Sequence, residues 1–350
     1  MDDMKNKSKF ESTENTGFNF KKFLVTETYL AIFLIVVLVF LSILTKGFFS
    51  LNNVMSILNR FSYVLIAAIG MNLIIITSNI DVSTGALMSI VCIVIAAVGK
   101  TGASIWILLP VAMITGAVLS GINGIFITKL RIPAIVATLA TTQLFAGVLP
   151  FVVEGSIYDL PAKFTWLAFE AKLFGLIPSS LILMFIITTI AILFMKYSKF
   201  SKKLYAIGNN SDGARLAGIN IERTVIITYI IAGALFGVSA TIIATASQRV
   251  TTTMASGLEM TFIAAVVLGG TSIAGGSGKI LGTVFGALIL SIISPAINYL
   301  GISSDWSDAI MGIIIIVSVI LGAMKFIKRK KITVVQRRQD NEKPKIQVDL

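Results

Sequence analysis

The chain has no His and a single Cys, Cys92. Imidazole acid–base chemistry, Ser-His-Asp triads, His or Cys-cluster metal centres and an internal disulfide framework are excluded on that ground. What remains is hydrogen bonding and isolated charge, and one segment concentrates it. Thr77, Asn79, Asp81, Ser83 and Thr84 fall in TSNIDVSTG, residues 77–85. Asp, Ser and Thr are residues that cap helix N-termini. Within a membrane a helix start is tolerated only when it is buried in protein or faces a wet cavity. The segment therefore reads either as a re-entrant, pathway-lining turn or as a capped loop at the cytoplasmic interface. A related pattern recurs later: Thr84-Gly85-Ala86-Leu87-Met88-Ser89-Ile90 and Ser256-Gly257-Leu258-Glu259-Met260-Thr261-Phe262 share [Ser/Thr]-Gly-x-x-Met-[Ser/Thr]-apolar. It brings a second carboxylate, Glu259, to a helix end.

Nucleotide chemistry fails on spacing. Gly278-Lys279 lacks the earlier Gly of a phosphate loop, where Ile273 stands, and the following Ser/Thr, where Ile280 stands. Gly276-x-Gly278 lacks the third Gly of a dinucleotide fingerprint, where Leu281 stands. Asp81 and Glu259 sit at helix ends, and Arg60, the one charge well inside an expected helix, reads as structural, with its head free to snorkel outward. Ion-coupled pumps usually carry buried ionisable relays, so this scarcity weighs against one.

The elements that must position these residues are membrane helices. Of the 350 residues, 56% are hydrophobic and 13% charged, against roughly a quarter charged in soluble domains. A spanning helix needs about 20 mostly apolar residues. Ten candidates follow: 29–45, 54–77, 83–98, 105–127, 132–153, 179–195, 225–246, 260–274, 280–300 and 307–326. The weakest break lies at 275–279. The expected fold is thus an all-α polytopic membrane protein: a cytoplasmic tail over 1–28, a transmembrane domain over 29–326 with a cytoplasmic loop at 196–224, and a basic cytoplasmic tail over 327–350. The start of the chain carries no signal-peptide pattern.

Charge distribution fits ten crossings with both termini inside. Of 29 Lys and Arg, 23 then face the cytoplasm, and the inner face carries the whole net charge of +12. That is the positive-inside pattern, matched to anionic lipids of the inner leaflet, and not to nucleic acid, for which no domain remains.

The segment 83–98 is only 16 residues, about 24 Å as a helix, short of a ~30 Å hydrocarbon core. Short or broken helices at matching places in two halves mark transporter pathways. In the ten-span topology the first motif copy lies on the cytoplasmic side and the second on the outer side, the opposite orientation that an inverted repeat of spans 2–5 and 7–10 requires. Gly116-Ala117 and Gly286-Ala287 follow the two copies at similar distances. Runs such as LGGTSIAGGSG read first as packing seams of small residues.

The loop KYSKFSKKLYAIGNNSDGARLAGINIERT holds a short helix outside the membrane, started by Asn210, Ser211 and Asp212 and stopped by Gly218. It either rests on lipid headgroups or docks a cytoplasmic partner. Residues 205–219, Tyr-Ala-Ile-Gly-Asn-Asn-x-x-Gly-Ala-Arg-Leu-Ala-Gly-Ile, resemble the coupling-loop motif of ribose-type ATP-binding-cassette importer permeases. TSNIDVSTG, Ala137-Thr138-Leu139-Ala140-Thr141 and the stretch from Ser256 to Gly276 resemble the same family, in order, over about residues 30–325.

The resemblance implies a transmembrane subunit that is not an enzyme and binds no cofactor, with ATP used by a separate ATPase subunit. It implies a second permease chain, identical or related, and an extracytoplasmic sugar-binding protein. Gly208, Asn210, Ala214, Arg215 and Gly218 would couple to the ATPase, Arg215 pairing with acidic groups there. Thr77, Asn79, Asp81, Ser83, Thr84 and Glu259 would line the substrate pathway, offering groups that suit a polyol exchanging water hydrogen bonds for protein ones. Ribose, another monosaccharide or a small autoinducer-type sugar is the expected cargo. Nucleoside or branched-chain amino acid permeases of the same architecture, and an ion-coupled secondary transporter, are the alternatives. The chain departs from the family pattern at Ser78-Asn79, where Gly-Gly is common, at Asn209, where Gly is usual, at Gly213, where Ala is usual, and at Ala146, where Arg is frequent.

Overall fold

A computed structural model describes residues 20–45, 47–153, 157–159, 172–173, 177–247, 249–301 and isolated positions between 303 and 316. Its helices are α1 (Phe20–Leu44), α2 (Leu51–Ile76), α3 (Thr84–Lys100), α4 (Ile105–Thr128), α5 (Ala134–Val152), α6 (Ser179–Tyr197), α7 (Lys199–Asn209), α8 (Ser211–Leu216), α9 (Ile221–Ser247), α10 (Leu258–Leu268) and α11 (Ile280–Tyr299). Nine of the ten expected spans coincide with helices. The expected span 307–326 and the tail 327–350 lie largely or wholly outside the described residues, as does 1–19.

Among the described residues, six helices are long and apolar enough to cross a membrane: α2, α4, α5, α6, α9 and α11. Among these, α2 is the most enclosed, and α9 and α11 follow. They form the interior, with Leu65, Ile69, Phe236 and Leu290 in one buried cluster that Phe262 of α10 joins. The outer faces of α4, α5 and α6 present Ile114, Leu144, Phe185 and Ile190. In lipid such faces need no cover, because the tails are as apolar as the side chains.

The structure corrects the sequence reading in four places. First, the expected span 260–274 is helical only over Leu258–Leu268. The helix stops at Gly269-Gly270, where Gly270 takes the left-handed conformation (φ 88°), and residues 271–279 form a tight turn-rich loop. Second, the two motif copies, expected on the two sides of the membrane, lie in contact. A Cβ on Gly85 would strike the Glu259 carboxylate, and the Ala255 amide donates to Ser89 Oγ at 3.1 Å. Both helices are short, α3 with 17 residues and α10 with 11, about 25 and 16 Å, and their N-terminal ends meet where Gly85 abuts Glu259. Third, α1 begins at Phe20, so the helix starts earlier than the expected span 29–45. Fourth, the fold is not wholly helical. Strand β1 (Ile157–Asp159) pairs antiparallel with β4 (Arg249–Thr251), and β2 (Lys172–Leu173) with β3 (Ile177–Pro178). Val250 of β4 is fully buried.

Candidate functional site

The loop between α6 and α9 holds two helices, of which the capping pattern in the sequence predicts only the second. In α7, the Ser198 side chain accepts from the Phe200 amide at 3.0 Å and caps the start. Ser201, Leu204 and Ile207 then recur on one buried face, and Leu204 packs with Leu73 and Ile76 of α2. Lys202 and Lys203 remain exposed. This helical period in KFSKKLYAIGN was the available signal; the density of Lys hid it.

Asn210 ends α7 and starts α8. Its side-chain oxygen accepts from the Gly213 amide at 3.0 Å. At the far end Gly218 turns left-handed (φ 78°), its amide donating to Arg215 O and that of Ile219 to Ala214 O. This pairing satisfies the last carbonyls of the helix. The expected start at Asn210 and stop at Gly218 are both where the structure has them. Ala214 is turned inward and buried, whereas Arg215, Leu216 and Gly218 are exposed.

Where α7 ends, three segments interlock. Gly208 admits no side chain, since a Cβ there would overlap the Ile76 carbonyl oxygen. The Gly276 amide donates to that same oxygen at 2.9 Å. Ser78, held in the left-handed region (φ 64°), has its hydroxyl on Gly208 O (3.2 Å) and Ala274 O (2.8 Å). Asn209 Nδ2 donates to Gly276 O at 3.1 Å, and the Tyr205 hydroxyl to Gly278 O at 2.9 Å. Burial raises the pKa of that hydroxyl, keeping it a neutral donor. One helical turn deeper, Asn72 Nδ2 donates to the hydroxyls of Thr271 (2.8 Å) and Thr283 (2.6 Å). The loop preceding α3, the loop preceding α11 and the end of α7 thus form one hydrogen-bonded unit. Ser78 and Asn209, two departures from the family pattern, both supply side-chain bonds within it. Asn72 carried no local signal, lying inside an apolar run.

An open cavity of about 930 Å³ lies beside this unit. Thr77, Asn79, Arg131, Gly208, Asn210, Arg215 and Glu222 are among its lining residues. The structure therefore gathers part of both expected groups, Thr77 and Asn79 with Gly208, Asn210 and Arg215. Asp81, Ser83 and Thr84 are fully buried, not open to this cavity. Asp81 Oδ1 accepts from the Ser83 amide (2.9 Å) and hydroxyl (2.6 Å), so Asp81 stands just ahead of α3. Glu259 is likewise outside the cavity lining. It abuts Gly85, is partly buried, and its Oε2 has no hydrogen-bond partner.

A protein-family model described as branched-chain amino acid transport system / permease component matches residues 53–319. The ribose import permease protein of Escherichia coli (strain K12) is 32% identical over 314 residues, covering 87% of this chain and 96% of that protein. That of Bacillus subtilis (strain 168) is 33% identical over 298 residues, 85% of this chain and 92% of that protein. The autoinducer 2 import system permease protein of Yersinia enterocolitica serotype O:8 is 32% identical over 287 residues, 82% of this chain and 78% of that protein. No solved structure is matched.

Proposed function

The chain belongs to the family of branched-chain amino acid transport system permease components, and from that premise we propose that it moves ribose, another monosaccharide or an autoinducer-2-type solute across the cell membrane as the permease subunit of an ATP-binding-cassette importer. It is a multi-pass inner membrane protein and not an enzyme; ATP is used by a separate chain. The observation that carries the mechanism is the docking of α7 on the loops before α3 and α11, with Gly208 against Ile76. A force applied to α8 by an ATPase passes through rigid contacts to α2, α3 and α11, and alternating access follows from their movement. Gly208, Asn210, Ala214, Arg215 and Gly218 are the coupling residues in this reading. Ala214 seats α8 and Arg215 meets the partner.

Thr77 and Asn79 line the cytoplasmic end of the solute's path, and Asp81, Ser83, Thr84 and Glu259 shape the meeting point of the α3 and α10 starts. The ten-span topology with cytoplasmic termini belongs to the same proposal, as do the tails at 1–28 and 327–350, the domain at 29–326 and its coupling loop at 196–224. So does the inverted repeat of spans 2–5 and 7–10, whose described pairs match α2, α3 and α4 to α9, α10 and α11. The neighbour relations support the repeat: α4 packs on α9 as α11 packs on α2, and α3 packs on α9 as α10 packs on α2. The assembly would add two ATPase subunits, a second permease chain, identical or related, and an extracytoplasmic binding protein, with lipids around it.

The test is affinity purification from native membranes in mild detergent with mass spectrometry. Recovery of an ATPase, with or without a second permease sequence, is expected. A chain free of ATPase that still drives uptake into proteoliposomes without ATP would overturn the reading in favour of ion coupling.

A further inference from the structure

Four buried oxygen atoms between α3, α4 and α9 have no hydrogen-bond partner: Asp81 Oδ2, Ser120 Oγ, Asn123 Oδ1 and the Tyr229 hydroxyl. All four residues are fully buried. Unsatisfied buried polar groups are rare in native proteins, and each calls for an occupant or a role. Here they share one neighbourhood. Asn123 Nδ2 donates to Ser83 Oγ at 2.7 Å, and Ser83 Oγ donates to Asp81 Oδ1 at 2.6 Å. A Cβ on Gly124, next in the chain to Asn123, would stand 3.2 Å from Tyr229 Cβ, so Tyr229 lies against this turn of α4. Ser120, one turn earlier on α4, faces Gly233, one turn beyond Tyr229 on α9. The Ser83 amide and hydroxyl bond Asp81 Oδ1, and among the described residues no Lys or Arg forms a salt bridge with Asp81.

A carboxylate sealed in the interior without a cationic partner is costly. The start of α3 offsets part of that charge at Oδ1 and leaves Oδ2 uncompensated. The unpartnered atoms are all oxygens, two of them obligate acceptors, the carboxylate and the amide carbonyl. Oxygen donors with one formal negative charge suit a hard cation of single charge. We propose that Asp81, Ser120, Asn123 and Tyr229 hold one alkali cation, Na⁺ or K⁺, that ties α3 to the α4–α9 pair. The ion is a resident of each chain, bound whether or not solute moves, so the site stands apart from the importer reading.

The test is the melting midpoint of the purified full-length chain in NaCl, KCl and choline chloride at equal ionic strength, with equilibrium binding of ²²Na⁺ or ⁸⁶Rb⁺. A ligand of the folded state stabilises by mass action, so a saturable rise in midpoint over choline is expected, with one ion bound per chain. Asp81→Asn removes the rise. Tyr229→Phe keeps the ring and shifts half-saturation to higher cation concentration. Asn123→Asp adds a second carboxylate and moves the preference toward Ca²⁺, which carries the test should Asp81→Asn fail to fold. Equal midpoints in all three salts with no bound tracer overturn the proposal. A midpoint that follows pH but not the alkali cation also overturns it, a proton then being what neutralises Asp81. Because the readouts are stability and ion binding, their failure is distinct from any failure of uptake.

Discussion

Gly116 of α4 and Gly233 of α9 exclude each other's side chains reciprocally: a Cβ on either would overlap the carbonyl oxygen of the other. The contact continues where a Cβ on Gly237 would overlap the Ala112 carbonyl oxygen and where Gly124 lies under Tyr229. Lipid offers helices no hydrophobic drive to associate, so close backbone approach supplies the attraction. Gly116→Val or Gly233→Val must part the two helices, and overpacking of this kind costs about 1–3 kcal/mol or more. The expected outcome is a sharp drop in folded protein, read as membrane abundance and melting midpoint in detergent. Gly147→Val on α5, where no atom lies within 4 Å of the new Cβ, is the control and leaves both readings near wild type.

Gly208→Ala attacks the coupling unit and spares the membrane core. Its methyl group must displace the Ile76 carbonyl, which also accepts from Gly276. A local cost of about 1–3 kcal/mol falls on the joint between α7 and the two loops. Uptake is expected to be largely lost while the chain still reaches the membrane and ATP hydrolysis by the assembly continues. Uptake at the wild-type rate would separate the joint from transport.

Arg215→Glu reverses an exposed charge on α8. Exposed substitutions of this kind move stability by only about 0.5 kcal/mol, so abundance and melting stay near wild type. Uptake is abolished and ATPase recovery in the purification falls. Persistence of both would mean that α8 rests on headgroups and docks nothing.

These three sites show what the sequence carries and what it does not. The position of α8 was readable because its caps, Asn210 and Gly218, act within a few residues of one another. Nine helices were readable because lipid demands long apolar runs. The meeting of Gly85 with Glu259 was not readable, because it depends on how far each short helix reaches into the molecule, and hydropathy made 260–274 look continuous. Nor was the Asn72–Thr271–Thr283 link, which joins residues far apart in sequence across three elements.

That link yields its own expectation. Asn72→Leu is close in volume but removes both donors, leaving the buried Thr271 and Thr283 hydroxyls without them. At about 1 kcal/mol for each hydrogen bond lost, stability falls by roughly 2 kcal/mol. Thr283→Val in the Asn72→Leu background is expected to restore part of the loss, because a hydroxyl with no donor is itself a cost. A double mutant no more stable than Asn72→Leu would show that the hydroxyls are served elsewhere.

Tyr205→Phe tests the coupling unit by pH. The hydroxyl donates to Gly278 O, and burial raises its pKa above the ordinary 10.0. Below pH 10 the group is neutral in folded and unfolded chain alike, so wild type keeps the full benefit of the bond. As pH rises past the unfolded value, the unfolded chain releases this proton while the folded chain retains it. Stability then falls with pH until the folded hydroxyl also ionises. Phe has no such proton. The wild-type advantage over Tyr205→Phe is therefore expected to be constant from pH 7 to pH 9 and to shrink above pH 10, measured as the difference in melting midpoint between the two proteins in matched buffers. Taking the difference cancels the other tyrosines, which titrate in both. A difference that stays level across pH 10 would mean that the Tyr205 hydroxyl is open to solvent and holds no bond to Gly278.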